Sequence, residues 1–343
     1  MSAEVARPAT MIDVARKAGV SYQTVSRVVN QHASVAPATR ARVLEAIREL
    51  EYLPNGAARN LVTRRSRTVG IVSFGTTYYG PSQMLANIEF SFRERAYGLT
   101  LATLTELGFD DLQSAVRELR SRSVDGIVMI APILRVDVDG IRRLCGKVPF
   151  VMVDIALGGR LPSVLIDQRY GGMLAARHLL ELGHREIAEI TGPLDWSGAE
   201  LRHDGALAVL GEAGLAPVMS AAGDWSAASG YRAAARLLES GARFTALLAS
   251  NDQMALGAMR ALRERGLRIP EDVSVVGFDD VPESAYFEPP LTTVRQDFAS
   301  LGRASAAYLI DLIEQGATPL NQRVLSPELI ARSSTRQRGV GTC

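Results

Sequence analysis

Hydrogen-bonding side chains recur at helical spacing near the start of this 343-residue chain. Tyr22 and Ser26 are four residues apart, as are Gln23 and Arg27, so a helix places all four on one face. Glutamine forms paired hydrogen bonds with adenine, and arginine forms them with guanine, in the major groove of DNA. This spacing therefore favours a helix that recognises base edges.

The neighbouring residues predict a helix-turn-helix that presents this face. Thr10 starts a capping-box pattern, Gly19 tolerates the left-handed backbone of a turn, and Ser21 caps the second helix. The hydroxyls of Ser21 and Thr24 suit contacts between the helix start and phosphate, and Pro37 begins a third helix. A three-helix protein-interaction module with a solvated polar face is the alternative.

Charge is distributed unevenly along the chain. Residues 1–68 contain 11 Arg and Lys against 5 Asp and Glu, a net charge of +6, whereas the whole chain has a net charge of +1. A small basic head on a mildly acidic body predicts a contact with double-stranded DNA that is confined to the head. On charge alone, a merely solvated basic surface fits equally well.

A second set of polar residues follows apolar runs in the body of the chain. Asp154 follows PFVMV, Asn251 follows ALLAS and Asp279 follows SVVGF. Ligands bind beyond the carboxyl ends of strands in open α/β sheets, so these residues are expected to converge on one cleft. Such side chains suit the hydroxyls of a neutral polyol, and Trp225 offers a flat partner to a sugar. Singly, each fits a helix cap or turn, and Asp252 is expected to cap the helix after it.

From residue 69 onwards, short β-branched runs alternate with helical segments, which is typical of βαβ units and parallel sheets. The strand candidates are Val69–Ser73, Leu101–Leu104, Gly126–Ile130, Pro149–Val153, Val164–Ile166, Ile187–Ile190, Ala246–Ala249 and Val273–Phe278. The alternation is longer than one sheet ordinarily carries. The predicted fold class is therefore α/β, with two doubly wound parallel-sheet lobes and an N-terminal all-α helix-turn-helix head.

Several motifs occur in one order along almost the whole chain. They are SYQTVSRVVNQ in the second helix, PN…AR.L after the third, and GDWSA, NDQMALGAMRA, SVVGFDD and PPLTTVRQDF in the body. Together they resemble the lactose-repressor (LacI/GalR) family of bacterial transcription regulators. The resemblance implies lobes like those of periplasmic binding proteins and a repressor that leaves a palindromic operator when a sugar binds between the lobes.

The resemblance also assigns contacts with DNA. In the family, a hinge segment after the head orders on the operator, and its leucine, here Leu61, wedges into the minor groove. The implied DNA-binding set is Ser21, Tyr22, Gln23, Thr24, Ser26, Arg27, Asn55, Ala58 and Leu61. A leucine that only packs the linker on the body is the alternative.

The same resemblance implies an effector site. Its residues are Phe74, Asp154, Arg202, Trp225, Asn251, Asp279 and Gln296. The match to the lactose-responsive pattern favours a galactoside. Phe74 departs from it, since a serine stands there in that pattern. The stretch Asp195-Trp196-Ser197-Gly198 also departs, because it replaces a serine-rich loop and puts Gly198 at another serine contact. The added aromatic side chains favour a different glycoside as the alternative. A regulator that binds DNA better with its ligand is a further alternative.

The domain boundaries follow from the motifs and the alternation. We expect a head at 1–54, a hinge and linker at 55–68, a first lobe at 69–166 plus 297–325, a second lobe at 167–296 plus 326–338, and a tail at 339–343.

Other classes of protein find little support. The sequence has no GxGxxG, P-loop, HExxH or GxSxG motif, and Cys145 and Cys343 form neither a disulfide framework nor a zinc cluster. No apolar run approaches the ~20 residues of a membrane helix, and no apolar signal region begins the chain. We expect a cytoplasmic, nucleoid-associated protein that is not an enzyme and uses no cofactor, metal or membrane. A transport-type sugar-binding protein and an α/β enzyme acting on sugars are the rival classes.

The expected assembly is a homodimer. Residues 333–343 contain no leucine and one valine, so they lack the apolar a and d positions of a coiled-coil seam. The helix predicted at Ser82–Tyr97 is a candidate dimer face, with the apolar stripe Met84, Leu85, Ile88 and Phe92. The same stripe equally fits packing on its own sheet.

Overall fold

The computed structural model describes residues 7, 9–29, 32, 34–52, 65–106, 108–131, 137–155, 160–316 and 321–338. The chain divides into two compact units, Met1–Ser66 and Arg67–Cys343. None of the helices in the described ranges is long and apolar enough to span a bilayer.

The described residues of the first unit form three helices, α1 (Met11–Ala18), α2 (Tyr22–Val29) and α3 (Pro37–Glu49). The predicted capping box is present, because the Thr10 hydroxyl accepts from the backbone N–H of Asp13 and the Asp13 carboxylate accepts from the backbone N–H of Thr10. Gly19 ends α1 with φ of +63°, a conformation that glycine adopts without steric cost. Val14 of α1, Val25 of α2 and Val43 of α3 are fully buried together.

The second unit contains two sheets. The strands are β1 (Thr68–Phe74), β2 (Gly98–Leu104), β3 (Gly126–Ile130), β4 (Phe150–Val153), β5 (Ser163–Ile166), β6 (Ile187–Thr191), β7 (Met219–Ala222), β8 (Ala246–Ala249), β9 (Ser274–Asp279), β10 (Thr292–Arg295), β11 (Gln322–Leu325) and β12 (Glu328–Ile330). The described strands pair in the orders β11-β5-β4-β3-β1-β2 and β12-β10-β9-β8-β6-β7. All pairs are parallel except β10 with β12.

Helices cover both faces of each sheet. They are α4 (Tyr79–Arg93), α5 (Phe109–Ser121), α6 (Val138–Cys145), α7 (Gln168–Glu181), α8 (Ser197–Glu212), α9 (Ala227–Glu239), α10 (Asp252–Glu264) and α11 (Phe298–Gln315). In the first lobe, α4 and α11 bury apolar side chains on one face and α5 and α6 on the other. In the second lobe, α9 and α10 do so on one face and α7 and α8 on the other. Two doubly wound α/β lobes are therefore confirmed.

Three strands, β7, β10 and β11, lacked a sequence prediction, whereas the strand-like run Glu328–Arg332 predicts β12. β7 is an edge strand beside β6 and is partly exposed. Its sequence, MSAA, is short and has no β-branched residue, so it lacks the pattern by which strands are predicted. β11 joins the first sheet and β10 the second, although they follow one another along the chain. In the described ranges the chain crosses between the lobes after β5, β10 and β11.

The candidate dimer stripe lies inside the chain's own core. Met84, Ile88 and Phe92 are 3%, 0% and 0% exposed and pack on the first sheet and α11. The helix that carries them starts at Tyr79 and ends at Arg93, so it is shifted towards the N-terminus relative to the prediction. The prediction that this stripe forms a dimer face was wrong, because an amphipathic helix on a doubly wound sheet turns its apolar stripe towards the sheet.

Candidate functional site

A cleft lies where strand ends and helix starts of the two lobes meet, and its empty space of about 590 Å³ includes space that is open to solvent. The loops after β4, β8, β9 and β10 contribute to it, together with the first turn of α4 and the N-terminal half of α8. Six of the seven residues expected at the effector site line this cleft, and they are Asp154, Arg202, Trp225, Asn251, Asp279 and Gln296. The convergence expected from strand ends is therefore present in the tertiary structure.

Phe74, the seventh expected residue, is not among the cleft-lining residues. It ends β1 and packs against Trp196, with ring centroids 5.4 Å apart. Trp196 itself lines the cleft. Phe74 thus lies behind the cleft wall, because the bulkier indole takes the position next to the open space.

Three cleft residues hold an unfavourable backbone conformation. The φ angles of Asp154, Trp225 and Asp279 are +59°, +73° and +107°. Non-glycine residues rarely adopt such angles, and they concentrate at binding and catalytic sites, where the surrounding structure maintains them. Asp154 directly follows β4 and Asp279 is the last residue of β9, so each lies where a strand ends.

The carboxylate of Asp279 is the centre of a polar network in the cleft. Its Oδ1 accepts a hydrogen bond from Gln296 Nε2 at 2.6 Å and lies 3.5 Å from Nη2 of Arg202. The side chains of Arg202 and Asp279 are only 10% and 5% exposed. Arg202 also donates to the backbone carbonyl of Ser250, at the end of β8. The guanidinium thus joins the ends of two neighbouring strands.

Gln168, a residue that the sequence analysis missed, connects this network to the first lobe. It is the first residue of α7 and is 3% exposed. Its Nε2 donates to Oδ1 of Asp154 at 3.0 Å and to Oε1 of Gln296 at 2.7 Å, and its Oε1 accepts from Nε of Arg202 at 2.8 Å. Gln168 follows the end of β5 by two residues, so the strand-end rule that identified Asp154 would also have identified it.

Burial sets the protonation of the cleft carboxyls. Desolvation raises the pKa of Asp279 to about 6, although Arg202 and Gln296 oppose the shift. Desolvation also raises the pKa of Asp154 and lowers the pKa of Arg202. The cleft therefore contains charged groups that burial leaves poorly solvated, and hydroxyl donors of a ligand would stabilise the ionised carboxylates.

Asn251 takes the cap that was predicted for Asp252. Asn251 is the N-cap of α10, since its Oδ1 accepts from the N–H of Met254 at 2.8 Å, and its Nδ2 donates to the carbonyl of Trp225 at 3.0 Å. Asp252 is fully buried inside the helix start, and its carboxylate accepts from the N–H of Val281. The prediction that Asp252 caps the helix was wrong, because the asparagine one residue earlier already satisfies the free N–H.

The polar residues expected to contact DNA lie on the outer face of α2. Tyr22, Gln23 and Arg27 are exposed, whereas Val25 and Val28 of the same helix are buried. The hydroxyl of Ser21, also exposed, accepts from the N–H of Thr24 at 3.2 Å and so caps α2 as predicted. Thr24 and Ser26 are half-buried. The expected hinge residues Asn55, Ala58 and Leu61 lie outside the described residues.

Cys145 and His184, two potentially reactive side chains outside the cleft, are buried in the protein core. Desolvation raises the pKa of the buried Cys145 thiol to about 12, which disfavours the thiolate. His184 is buried and hydrogen bonds to Thr245 and Ser274. No group of three or more His, Cys, Asp or Glu side chains among the described residues could hold a metal ion.

Comparison with known proteins assigns the chain to a family. The lactose operon repressor of Escherichia coli (strain K12) is 37% identical over 329 residues, which cover 96% of this chain and 91% of that repressor. The chain belongs to the LacI family. The model described as "Bacterial regulatory proteins, lacI family" matches residues 10–55 of this LacI-family protein, and the model described as "Periplasmic binding protein-like domain" matches residues 176–335.

Two further relatives agree with the assignment. The ribose operon repressor of Escherichia coli (strain K12) is 35% identical to this LacI-family protein and covers 95% of it, with 99% of the repressor matched. A solved structure of the lac repressor dimer bound to operator and the anti-inducer ONPF superposes with a TM-score of 0.92 at 37% identity, over 96% of this chain and 100% of that one. The predicted resemblance is confirmed, and the protein is a LacI-family transcriptional repressor with a helix-turn-helix head.

Proposed function

We propose that this repressor binds a palindromic operator through α2 and the hinge, and that a neutral glycoside bound in the cleft releases it. The observation that carries the proposal is the convergence of Asp154, Arg202, Asn251, Asp279 and Gln296 on one cleft lined from both lobes. These side chains combine donors and acceptors, which neighbouring hydroxyls of a sugar ring need.

Charge and shape support a neutral ring as the ligand. Among the described residues that line the cleft, Arg202 is the only cationic side chain, and it already pairs with Asp279, which disfavours an anionic ligand. Trp225 lines the same cleft, with the Arg202 guanidinium 5.4 Å from its ring centroid. An indole beside a hydroxyl-binding network suits the two kinds of surface of a sugar, one apolar and one hydroxylated.

A galactoside is the sugar that we favour. Its support is the residue match at Asp154, Arg202, Trp225, Asn251, Asp279 and Gln296, together with the similarity to a lactose operon repressor. The ribose operon repressor is nearly as similar. Trp196 and Gly198 line the cleft of this chain and depart from the lactose-responsive pattern, so the sugar panel below includes glucosides.

Release follows from linkage between two arrangements of the lobes. A ligand in the cleft contacts Asp154 of the first lobe and Arg202 of the second at once, so its affinity depends on how the lobes are arranged. If the arrangement that binds the sugar more tightly binds the operator more weakly, the sugar lowers the affinity for the operator. The operator then lowers the affinity for the sugar by the same factor. Two heads on one homodimer then match the two halves of a palindrome, and light scattering should give twice the chain mass of 36.9 kDa.

The decisive experiment is an operator-binding titration of the full chain with a panel of galactosides and glucosides. We expect at least one panel member to weaken operator binding in a saturable way, while random DNA binding changes little. A sugar that strengthens operator binding would reverse the sign of the regulation. Binding of the sugars with no effect on the operator would refute the proposed coupling.

A further inference from the structure

The turn at the end of β9 holds two consecutive residues in an unfavourable backbone conformation. Asp279 and Asp280 have φ angles of +107° and +54°. Residues other than glycine adopt such angles at an energetic cost and keep them only where the surrounding structure fixes them. Because Asp279 is the centre of the polar network in the cleft, the place of its carboxylate depends on whatever fixes this turn.

The side chain of Asp252 fixes the turn from inside the second lobe. Its Oδ2 accepts a hydrogen bond from the backbone N–H of Val281 at 2.8 Å. Its Oδ1 accepts from the hydroxyl of Thr293 at 2.5 Å, and that hydroxyl oxygen accepts from the backbone N–H of Asp280 at 3.4 Å. One carboxyl group thus holds the backbone N–H groups of the two residues after Asp279, one directly and one through a hydroxyl.

This carboxyl group is buried outside the cleft lining. Asp252 and Thr293 are both 0% exposed, and neither lines the cleft. Burial raises the pKa of Asp252 well above its usual range, and the nearby Asp279 carboxylate adds to the rise. A buried carboxyl group is costly unless it is hydrogen bonded. Asp252 therefore acts on the turn through its hydrogen bonds and not through its charge.

A glycine of β9 makes room for the Asp252 carboxyl group. A Cβ added to Gly277 would lie 2.3 Å from Oδ1 of Asp252. Gly277 is paired with Thr293 of the neighbouring strand β10. The carboxyl group therefore lies against the backbone of β9 beside β10, where it has little freedom to move.

Two arginines hold the same turn by its side chain. Nε of Arg295 donates to Oδ2 of Asp280 at 2.7 Å, and Nη2 of Arg332 donates to Oδ1 at 2.5 Å. These bonds fix the side chain of Asp280, whereas the bonds from Asp252 and Thr293 fix the backbone. Loss of the Asp252 bonds should therefore leave the turn attached to the lobe but let its backbone angles relax.

We propose that Asp252 is a positioning residue for the effector site, because it fixes the backbone from which the Asp279 carboxylate reaches Arg202 and Gln296. It acts through the turn 279–281 and lies outside the cleft lining. This inference rests on the proposed function, since it concerns the same site.

The test separates hydrogen bonding from packing in the full chain. Asp252→Asn keeps one acceptor for the N–H of Val281 and one donor for the oxygen of Thr293, whereas Asp252→Leu keeps a similar volume and removes both. Leu262→Ala is the control, since it destabilises α10 at a fully buried position outside the cleft lining. Thr293→Val removes a single hydroxyl and keeps the test decisive if Asp252→Leu does not fold.

Two measurements are made on each variant. The sugar probes are methyl β-galactoside, lactose, methyl β-glucoside and cellobiose, and the one that binds the wild type most tightly is used for the variants. Because Trp196 and Trp225 line the cleft, intrinsic fluorescence reports binding. Hydrogen exchange of the Val281 amide, followed without sugar, reports whether the turn is held.

We expect Asp252→Leu to lower the sugar affinity about tenfold or more and to lose protection of the Val281 amide, while Asp252→Asn stays within about threefold of the wild type. Thr293→Val should lower the sugar affinity less, and its effect should be lost in the Asp252→Leu background, because both residues act through the same bonds. Leu262→Ala should lower the melting temperature and leave the sugar affinity unchanged.

An unchanged sugar affinity in Asp252→Leu, or in Thr293→Val if that variant alone folds, would overturn the inference while the proposed function stands. Equal losses in Asp252→Asn and Asp252→Leu would also overturn it, since the bonds to the turn would then not be what matters. A loss of affinity in Leu262→Ala as large as that in Asp252→Leu would show a purely structural role. Failure of every probe to bind the wild type would overturn the proposed function and this inference together.

Discussion

The side-chain amide of Gln168 in the second lobe donates a hydrogen bond to the carboxylate of Asp154 in the first, with an N–O distance of 3.0 Å. The same amide bonds to Gln296 and Arg202, so both of its N–H groups and its oxygen are used. One buried side chain thus orients groups of both lobes that line the cleft. It acts as a positioning residue for the proposed effector site.

Replacing this amide should weaken the effector site without unfolding the protein. Gln168→Met keeps the length of the side chain but removes three hydrogen bonds, and each contributes about 0.5–1.5 kcal/mol. We expect effector affinity to fall at least tenfold, measured by fluorescence titration, and the free energy of unfolding to fall by about 1.5–4.5 kcal/mol, the sum of the three contributions. Arg169→Gln, at the exposed neighbouring position, is the control and should match the wild type. An unchanged effector affinity in Gln168→Met would contradict the positioning role.

Effector binding should depend on pH through Asp279. Burial raises the pKa of this carboxyl to about 6, whereas Arg202 and Gln296 lower it and the nearby Asp154 raises it. Sugar hydroxyls donate to the ionised form, so the ligand lowers this pKa and favours loss of the proton. Affinity should therefore be full above pH 6 and fall up to about tenfold per pH unit below it.

The variant Asp279→Asn distinguishes protonation of Asp279 from other effects of low pH on the protein. The variant should bind the effector more weakly at neutral pH, because a charged acceptor is lost, and it should lack the decline near pH 6. Titration calorimetry in two buffers with different ionisation enthalpies would detect proton release at pH 6 in the wild type only. The same slope in both proteins would exclude Asp279 as the titrating group.

Base recognition should reside in the exposed face of α2. Gln23→Ala should cost about 1–3 kcal/mol on the preferred operator and little on random DNA, because a bidentate base contact discriminates sequence. A fluorescence anisotropy assay on both DNAs at one salt concentration measures the difference. Equal losses on the two DNAs would mean that Gln23 does not read bases.

Close helix packing in the second lobe should be sensitive to one added methyl group. A Cβ on Gly257 of α10 would overlap the backbone carbonyl of Ala227, at the start of α9. Gly257→Ala should therefore destabilise the protein by about 1–3 kcal/mol through overpacking. Gly211→Ala is the matched control in α8, since no atom lies within 4 Å of the added Cβ, and it should stabilise the helix by about 0.5–1 kcal/mol. Chemical denaturation of both variants tests the contrast.

Features that depend on interactions between residues close in sequence could be predicted from the sequence. The capping box of Thr10, the turn at Gly19 and the cap at Ser21 each involve residues within a few positions of one another. Asn251 and Asp279, at the ends of the neighbouring strands β8 and β9, could be placed at one edge for a different reason. Parallel strands in one sheet end at the same edge, so a polar residue after an apolar run has a predictable location even without its partners.

Tertiary structure alone decided which groups bond to one another. Gln168 and Gln296 are 128 residues apart and meet only because the chain crosses between the lobes at both places. Phe74 is not among the residues that line the cleft, whereas Trp196, which contacts it from the other lobe, is. A periodic pattern shows that a side chain is buried or at a strand end, but steric competition and hydrogen-bond pairing depend on distances between distant segments, which only the packed fold defines.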